Sequence, residues 1–82
     1  MMGNIVYKID ENGERASDNW TGRFHEDSSE DNVWIYIQDD EGKNVSLKRG
    51  DRIHYSDADL PNNGDYVIEQ SEIGIYKVKS LS

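Results

Sequence analysis

Seven acidic side chains lie within sixteen residues of this sequence, and carboxylates at that density can perform three kinds of chemistry. They can bind a metal ion, act as an acid and base pair in hydrolysis, or present a negative surface to a positively charged partner. The seven are Glu26, Asp27, Glu30, Asp31, Asp39, Asp40 and Glu41. Their spacing, and the elements that carry them, decide among the three.

A calcium loop is the metal site that this spacing approaches most closely. Asp27, Ser29 and Asp31 match the first, third and fifth ligand positions of an EF-hand loop. Asn32 stands in place of the sixth-position glycine, and Gln38 in place of the final bidentate glutamate. We therefore predict no specific metal site, and no cofactor.

Catalysis has little support from the rest of the chain. His25 and His54 are the only histidines, and there is no cysteine, glycine-rich phosphate loop or serine elbow. Paired carboxylates hydrolyse glycosides, but a chain of 82 residues leaves little room for the cleft that this reaction needs. We predict that the protein is not an enzyme, and that His54 is structural.

The distribution of charge favours the third possibility, a negative binding surface. The net charge is −8, and residues 10–41 contain eleven acidic residues against only Arg15 and Arg23. The rest of the chain is close to neutral. If the fold keeps the acidic residues together, a partner with a basic groove gains contact energy and association rate from the negative potential.

Alternating apolar residues predict the elements that position these carboxylates. Ile and Val outnumber Leu and Ala, which favours strands because β-branched side chains suit a pleated sheet. Residues 10–14 and 39–43 are glycine-containing turns, and Gly22 and Gly74 are candidate β-bulges. The predicted strands are 4–9, 20–25, 33–38, a short return strand at Val45 and Leu47, 52–56, 66–69 and 73–78. Residues 57–64 are predicted as a loop, with one helical turn at 57–60.

The segment at 33–38 is the strongest of these strands. Ile35 and Ile37 alternate with Trp34 and Tyr36, so both faces carry bulky side chains and a central place in the sheet is expected. The acidic runs at its two ends would then lie about 20 Å apart. Trp34 and Tyr36 complete the candidate partner-binding surface, as apolar anchors between the carboxylates.

These elements predict an all-β fold with a single domain over residues 1–82. No run of ten or more residues has helical spacing, and no apolar run is long enough to cross a bilayer. The expected architecture is a small antiparallel sheet or an SH3-like or Greek-key barrel of about six to seven short strands. We expect a cytoplasmic protein with no membrane partner.

The segment from Glu26 to Lys43, an acidic cluster followed by "NVWIYIQDDEGKN", resembles the acidic β-hairpin region of the phage uracil-DNA glycosylase inhibitors, which are DNA mimics. The resemblance covers under a quarter of the chain. The N-terminal helical part of that family has no counterpart in the strand-rich residues 4–25. What the resemblance implies is a negative surface that competes with DNA for a protein.

The leading hypothesis is therefore a small acidic inhibitor or adaptor, of phage or mobile-element type, that occupies a basic surface on a nucleic-acid-handling protein. Direct nucleic-acid binding, with Trp20, Trp34, Tyr36 and Tyr55 as a stacking platform, is disfavoured by the net charge. The alternative is a structural assembly domain, such as a phage connector component, because "LKRGDRIHY" and "GDYVIEQ" suit small barrels. In that case the carboxylates serve only solubility, and sheet edges or the apolar residues around 73–78 make the contacts.

Overall fold

The computed structural model describes residues 4–29, 31–57 and 63–81, and its regular elements are six strands. The strands are β1 Ile5–Ile9, β2 Thr21–Phe24, β3 Val33–Gln38, β4 Arg52–Ser56, β5 Gly64–Ser71 and β6 Ile75–Ser80. Glu30, and most of the helical turn predicted at 57–60, lie outside the described residues. In the described ranges no helix is long and apolar enough to cross a membrane.

The six strands form one antiparallel sheet in the order β1-β4-β5-β6-β3-β2. β4, β5 and β6 are successive neighbours, and β3 lies beside β6 although the long connection at 39–51 separates it from β4. These four strands form a Greek key. The predicted all-β class and antiparallel barrel architecture are confirmed, and β3 has a neighbour on each side, as expected.

Alternation along the strands fills the interior of the barrel. Ile35 and Ile37 of β3 are fully buried, as is Ile53 of β4, whereas Trp34 and Tyr36 lie half-buried on the outer face. Each strand therefore contributes one apolar face to a shared core. The core cluster is Val6, Ile35, Ile37, Leu47, Ile53, Tyr55, Tyr66, Ile68, Tyr76 and Val78.

The sheet curls until its two outer strands approach each other. Val6 and Trp20 exchange both backbone hydrogen bonds, at 2.9 and 2.7 Å, and the Ala16 N–H donates to the carbonyl of Lys8 at 2.8 Å. This junction between β1 and the residues just before β2 is the seam, and it nearly closes the barrel. Part of the open edge of β1 is thus paired with the residues just before β2.

Gly22 lies in the regular part of β2, where it pairs with Ile37, so the predicted bulge at Gly22 is wrong. A Cβ atom at this position would lie 2.6 Å from Val6 Cγ2 and 3.1 Å from Ile35 Cδ1. The Gly22 N–H donates to the side-chain oxygen of Asn4 at 2.7 Å. Glycine is needed here because strands from both sides of the seam come close together, not because the backbone bulges.

The bulge predicted at Gly74 is also wrong. Gly74 has a φ of +76° in the turn between β5 and β6, a conformation that glycine adopts without steric cost. The register shift lies in β5 instead, where Ile68 pairs with Val78 but Gln70 pairs with Lys77. The extra residue between Ile68 and Gln70 is a β-bulge that bends β5. Such a bend helps a sheet of six strands to close into a barrel.

The return strand predicted at Val45 and Leu47 does not form. The carbonyl of Val45 accepts a hydrogen bond from the Tyr76 hydroxyl, and that of Leu47 accepts one from Ser71 Oγ at 2.8 Å. Side chains thus replace the backbone ladder that a strand would use. Leu47 is 5 % exposed and belongs to the core cluster. The segment that connects β3 to β4 along the chain therefore covers part of the interior of the barrel.

Candidate acidic interaction surface

The β2–β3 hairpin divides the acidic side chains into two groups. The loop group follows β2 and precedes β3, and the turn group follows β3. β3 has the six residues that the sequence predicted, and at about 3.3 Å each they correspond to roughly 17–20 Å between the two groups. Among the described residues, the loop group is Glu26, Asp27 and Asp31, and the turn group is Asp39, Asp40 and Glu41. Glu30 is the one predicted site residue that the structure does not describe.

Hydrogen bonds to the hairpin fix the loop that carries the loop group. The His25 N–H donates to the carbonyl of Trp34 at 2.8 Å. Ser28 Oγ accepts from the Trp34 N–H at 2.9 Å and donates to the Trp34 carbonyl at 3.2 Å. Glu26, Asp27 and Asp31 are exposed on this loop. Their carboxylates therefore project from a backbone that is tied to β3.

Asp39 has a structural role that sets it apart from its neighbours. Its Oδ1 accepts hydrogen bonds from the Glu41 and Lys43 N–H groups, both at 2.9 Å. Asp10 forms the same arrangement in the turn after β1, with the N–H groups of residues 12 and 14 as donors. Asp39 thus stabilises the turn, since its oxygen satisfies two backbone donors. Asp40 and Glu41 are exposed on the same turn.

Asp18 joins the turn group, although it is not among the site residues predicted from the sequence. β2 pairs antiparallel with β3, so residues just before β2 lie next to residues just after β3. The antiparallel pairing of β2 with β3 could therefore have predicted from the sequence that Asp18 lies near the turn group. A surface cavity of about 470 Å³ at this end of the hairpin is lined by Asp18, Asn19, Trp20, Asp39, Asp40 and Glu41.

Few cations offset these carboxylates. Lys43 Nζ lies 3.4 Å from the carboxylate of Glu41. His25 Nδ1 lies 3.9 Å from the carboxylate of Asp27, and it accepts a hydrogen bond from the Asp27 N–H at 3.0 Å. Both contacts are at the surface, where an ion pair contributes little. The exposed acids of the two groups that form no ion pair with a described residue are Asp18, Glu26, Asp31 and Asp40.

The two arginines of residues 10–41 contact aromatic rings instead of carboxylates. The Arg15 guanidinium lies 4.6 Å from the centroid of the Tyr7 ring, and that of Arg23 lies 4.8 Å from the centroid of the Tyr36 ring. Neither forms an ion pair within the described part of the chain. Neither arginine therefore neutralises a carboxylate of the hairpin by direct contact.

The two histidines lie in different surroundings on the outer face. His25 stacks on Tyr36, with ring centroids 5.7 Å apart. His54 stacks on Tyr7 at 5.2 Å, and its Nδ1 lies 2.7 Å from Asp65 Oδ1. No three side chains of the His, Cys, Asp or Glu type converge on a metal-binding geometry in the described ranges.

The four aromatic residues considered as a stacking platform for bases do not share one face. Tyr55 is 1 % exposed inside the barrel, and Trp20 packs against the core from the seam. Of these four residues, Trp34 and Tyr36 lie on the outer face between the acidic groups, as predicted from the alternation along β3. A continuous platform of all four rings is therefore absent.

Comparisons with protein-family models, with curated proteins and with solved structures returned no match for this chain.

Proposed function

We propose that the protein is a small acidic inhibitor or adaptor that binds, without catalysis, to a basic surface of a nucleic-acid-handling protein. One observation carries the proposal: exposed carboxylates that form no ion pair with any described residue lie at both ends of the β2–β3 hairpin, with Trp34 between them. Arg15 and Arg23, the two arginines of residues 10–41, are stacked on tyrosines and form no ion pair with these carboxylates in the described part of the chain.

Uncompensated carboxylates repel one another, and a basic partner relieves that repulsion as it binds. The negative potential also accelerates the encounter with such a partner, and salt weakens both effects. A nucleic-acid-binding groove attracts phosphates by the same electrostatics. A surface of this charge would therefore compete with DNA or RNA for the groove.

The test is capture of basic proteins from a nuclease-treated bacterial lysate on the immobilised protein, followed by elution with a salt gradient or with duplex DNA. A hairpin variant would combine Glu26→Gln, Asp31→Asn and Asp40→Asn. A control variant with the same net charge would combine Glu11→Gln, Glu14→Gln and Glu69→Gln, which are exposed outside the hairpin.

We expect nucleic-acid-handling proteins to be retained by the native and control proteins, released by DNA, and lost from the hairpin variant. Equal retention by all three proteins would show that the hairpin acids are not the binding surface. Equal losses from both variants would show that net charge alone attracts the captured proteins.

The second candidate function is a structural assembly domain, and the position of Ile73 favours it. Ile73 is 91 % exposed at the tip of the β5–β6 hairpin, where an apolar side chain gains nothing from the fold itself. The seam already covers part of the sheet edges. The tip of the β5–β6 hairpin is therefore more available than the edges for contact with another subunit. We expect Ile73→Ser to abolish any concentration-dependent association seen by light scattering. A monomer at all concentrations would leave self-assembly without support.

A further inference from the structure

A surface groove crosses the outer face of the sheet between the loop before β3 and the turn before β6. Its volume is about 400 Å³. Trp34 and Ile75 supply its apolar surface, while Asp27 and Glu72 contribute carboxylates from the loop and from the turn. The lining is His25, Asp27, Asn32, Trp34, Glu72 and Ile75.

Trp34 differs from the tyrosines of the outer face in what its ring contacts. Tyr36 is already in contact with Arg23, and Tyr7 with Arg15, so these two rings carry a guanidinium of the chain itself. No described cation lies over the Trp34 ring. Its indole N–H donates to Asn32 Oδ1 at 3.1 Å, which orients the ring beside the groove.

The carboxylates of the groove are placed to receive a cation. Glu72 accepts a hydrogen bond from Gln70 Nε2 at 2.9 Å, which leaves its other oxygen available. Within the described residues, the Asp27 carboxylate has one long contact, with His25 Nδ1 at 3.9 Å. Both acids are exposed, and they flank an indole ring, the aromatic group that binds cations best.

We propose that this groove binds an arginine side chain of the basic partner, and this inference rests on the proposed function because it names the contact that would hold that partner. The planar guanidinium would stack on Trp34, its N–H groups would donate to Asp27 or Glu72, and its aliphatic stem would pack on Ile75. Arginine fits better than lysine because it is flat, weakly hydrated and has several donors in one plane.

The test uses the full chain and two blocked peptides of equal charge, tetra-arginine and tetra-lysine. NMR titration follows the indole N–H of Trp34 and the methyl groups of Ile75. We expect tetra-arginine to shift these signals and to bind about threefold or more tighter than tetra-lysine, because stacking adds to a charge attraction that both peptides share.

Two variants locate the interaction, and circular dichroism checks that each is folded. Trp34→Ala should weaken tetra-arginine binding about fivefold and abolish the preference over lysine. The second variant combines Asp27→Asn with Glu72→Gln, two exposed residues that lie outside the strands. It should weaken binding more than a control with the same charge change, Glu11→Gln with Glu14→Gln.

Equal affinity for the two peptides, together with no effect of Trp34→Ala, would overturn the arginine site while leaving a purely electrostatic acidic surface intact. Failure of both peptides to bind at low salt would also overturn it. In either case the lysate capture decides the proposed function separately, since the hairpin variant retains Trp34, Asp27 and Glu72.

Discussion

Gly22 and Val6 lie so close across the seam that a methyl group on Gly22 would come within 2.6 Å of Val6 Cγ2. We expect Gly22→Ala to lower the free energy of unfolding by about 1–3 kcal/mol, because the buried strands must move apart to admit it. Urea denaturation measures this change. Thr21→Ala, at the exposed neighbour in β2, is the control and should have an effect of roughly 0.5 kcal/mol or less. If both variants were equally stable, the strands at the seam would accommodate the added methyl group without cost.

Leu47 belongs to a segment with no strand partner, yet its side chain is 5 % exposed in the core. We expect Leu47→Ala to cost about 2–4 kcal/mol of unfolding free energy, since it removes buried apolar surface and leaves a cavity. Ser46→Ala, at the exposed neighbour, should be close to neutral. If both variants unfold at the same urea concentration as the native protein, Leu47 does not close the barrel.

Asp39 and Asp40 are adjacent acids with different roles. Asp39→Ala leaves the N–H groups of Glu41 and Lys43 without their carboxylate acceptor, and we expect a loss of about 1 kcal/mol. Asp40→Ala removes an exposed carboxylate and should leave stability nearly unchanged. Both variants lose one negative charge. A difference between their melting temperatures at the same pH therefore measures the loss of the hydrogen bonds of Asp39 and not the change in charge. Identical melting temperatures would contradict the role of Asp39 in stabilising the turn.

Alkaline pH should destabilise the protein through its buried tyrosines. Burial, reinforced by the Asp57 carboxylate, raises the pKa of Tyr55 to about 12, and burial also raises the pKa values of Tyr66 and Tyr76. In the unfolded chain these phenols lose protons near pH 10, while the folded protein still holds them. The unfolding free energy should therefore be unaffected by these groups below about pH 10 and fall as the pH rises towards 12.

Urea titrations between about pH 8 and about pH 11 measure this loss, and the slope reports the difference in bound protons. Tyr55→Phe removes one of the three groups, so its stability should fall less steeply over the same range. A native protein whose stability stays constant up to about pH 11 would contradict the burial of these hydroxyl groups.

The strands were predictable because their chemistry is local. Ile35 and Ile37 alternate with larger outer residues, and this period of two is enough to identify β3 with its exact limits. The position of Leu47 was not predictable in the same way. Val45 and Leu47 have the apolar pattern of a short strand, but their carbonyls accept hydrogen bonds from Tyr76 and Ser71, respectively, which approach this segment only after the Greek key forms.

The role of Gly22 was also not predictable from its neighbours in the sequence. Gly22 has the local appearance of a bulge residue, and only the approach of Val6 from the far end of the sheet explains it. For the candidate site, the two acidic groups and their separation followed from the strand between them. The inclusion of Asp18, and the stacking of Arg23 on Tyr36, depend on pairing across strands and could not be read from spacing.

Closure of the barrel by the reciprocal bonds of Val6 and Trp20 has a consequence for motion. Neighbouring strands in the sheet are joined by ladders of four or five residue pairs, whereas the seam in the described residues has two isolated pairs, Val6 with Trp20 and Ile9 with Arg15. Local opening requires the fewest broken bonds there. The amide protons of Val6 and Trp20 should therefore exchange with solvent sooner than those in the middle of β4, as the barrel relaxes transiently into an open, curved sheet.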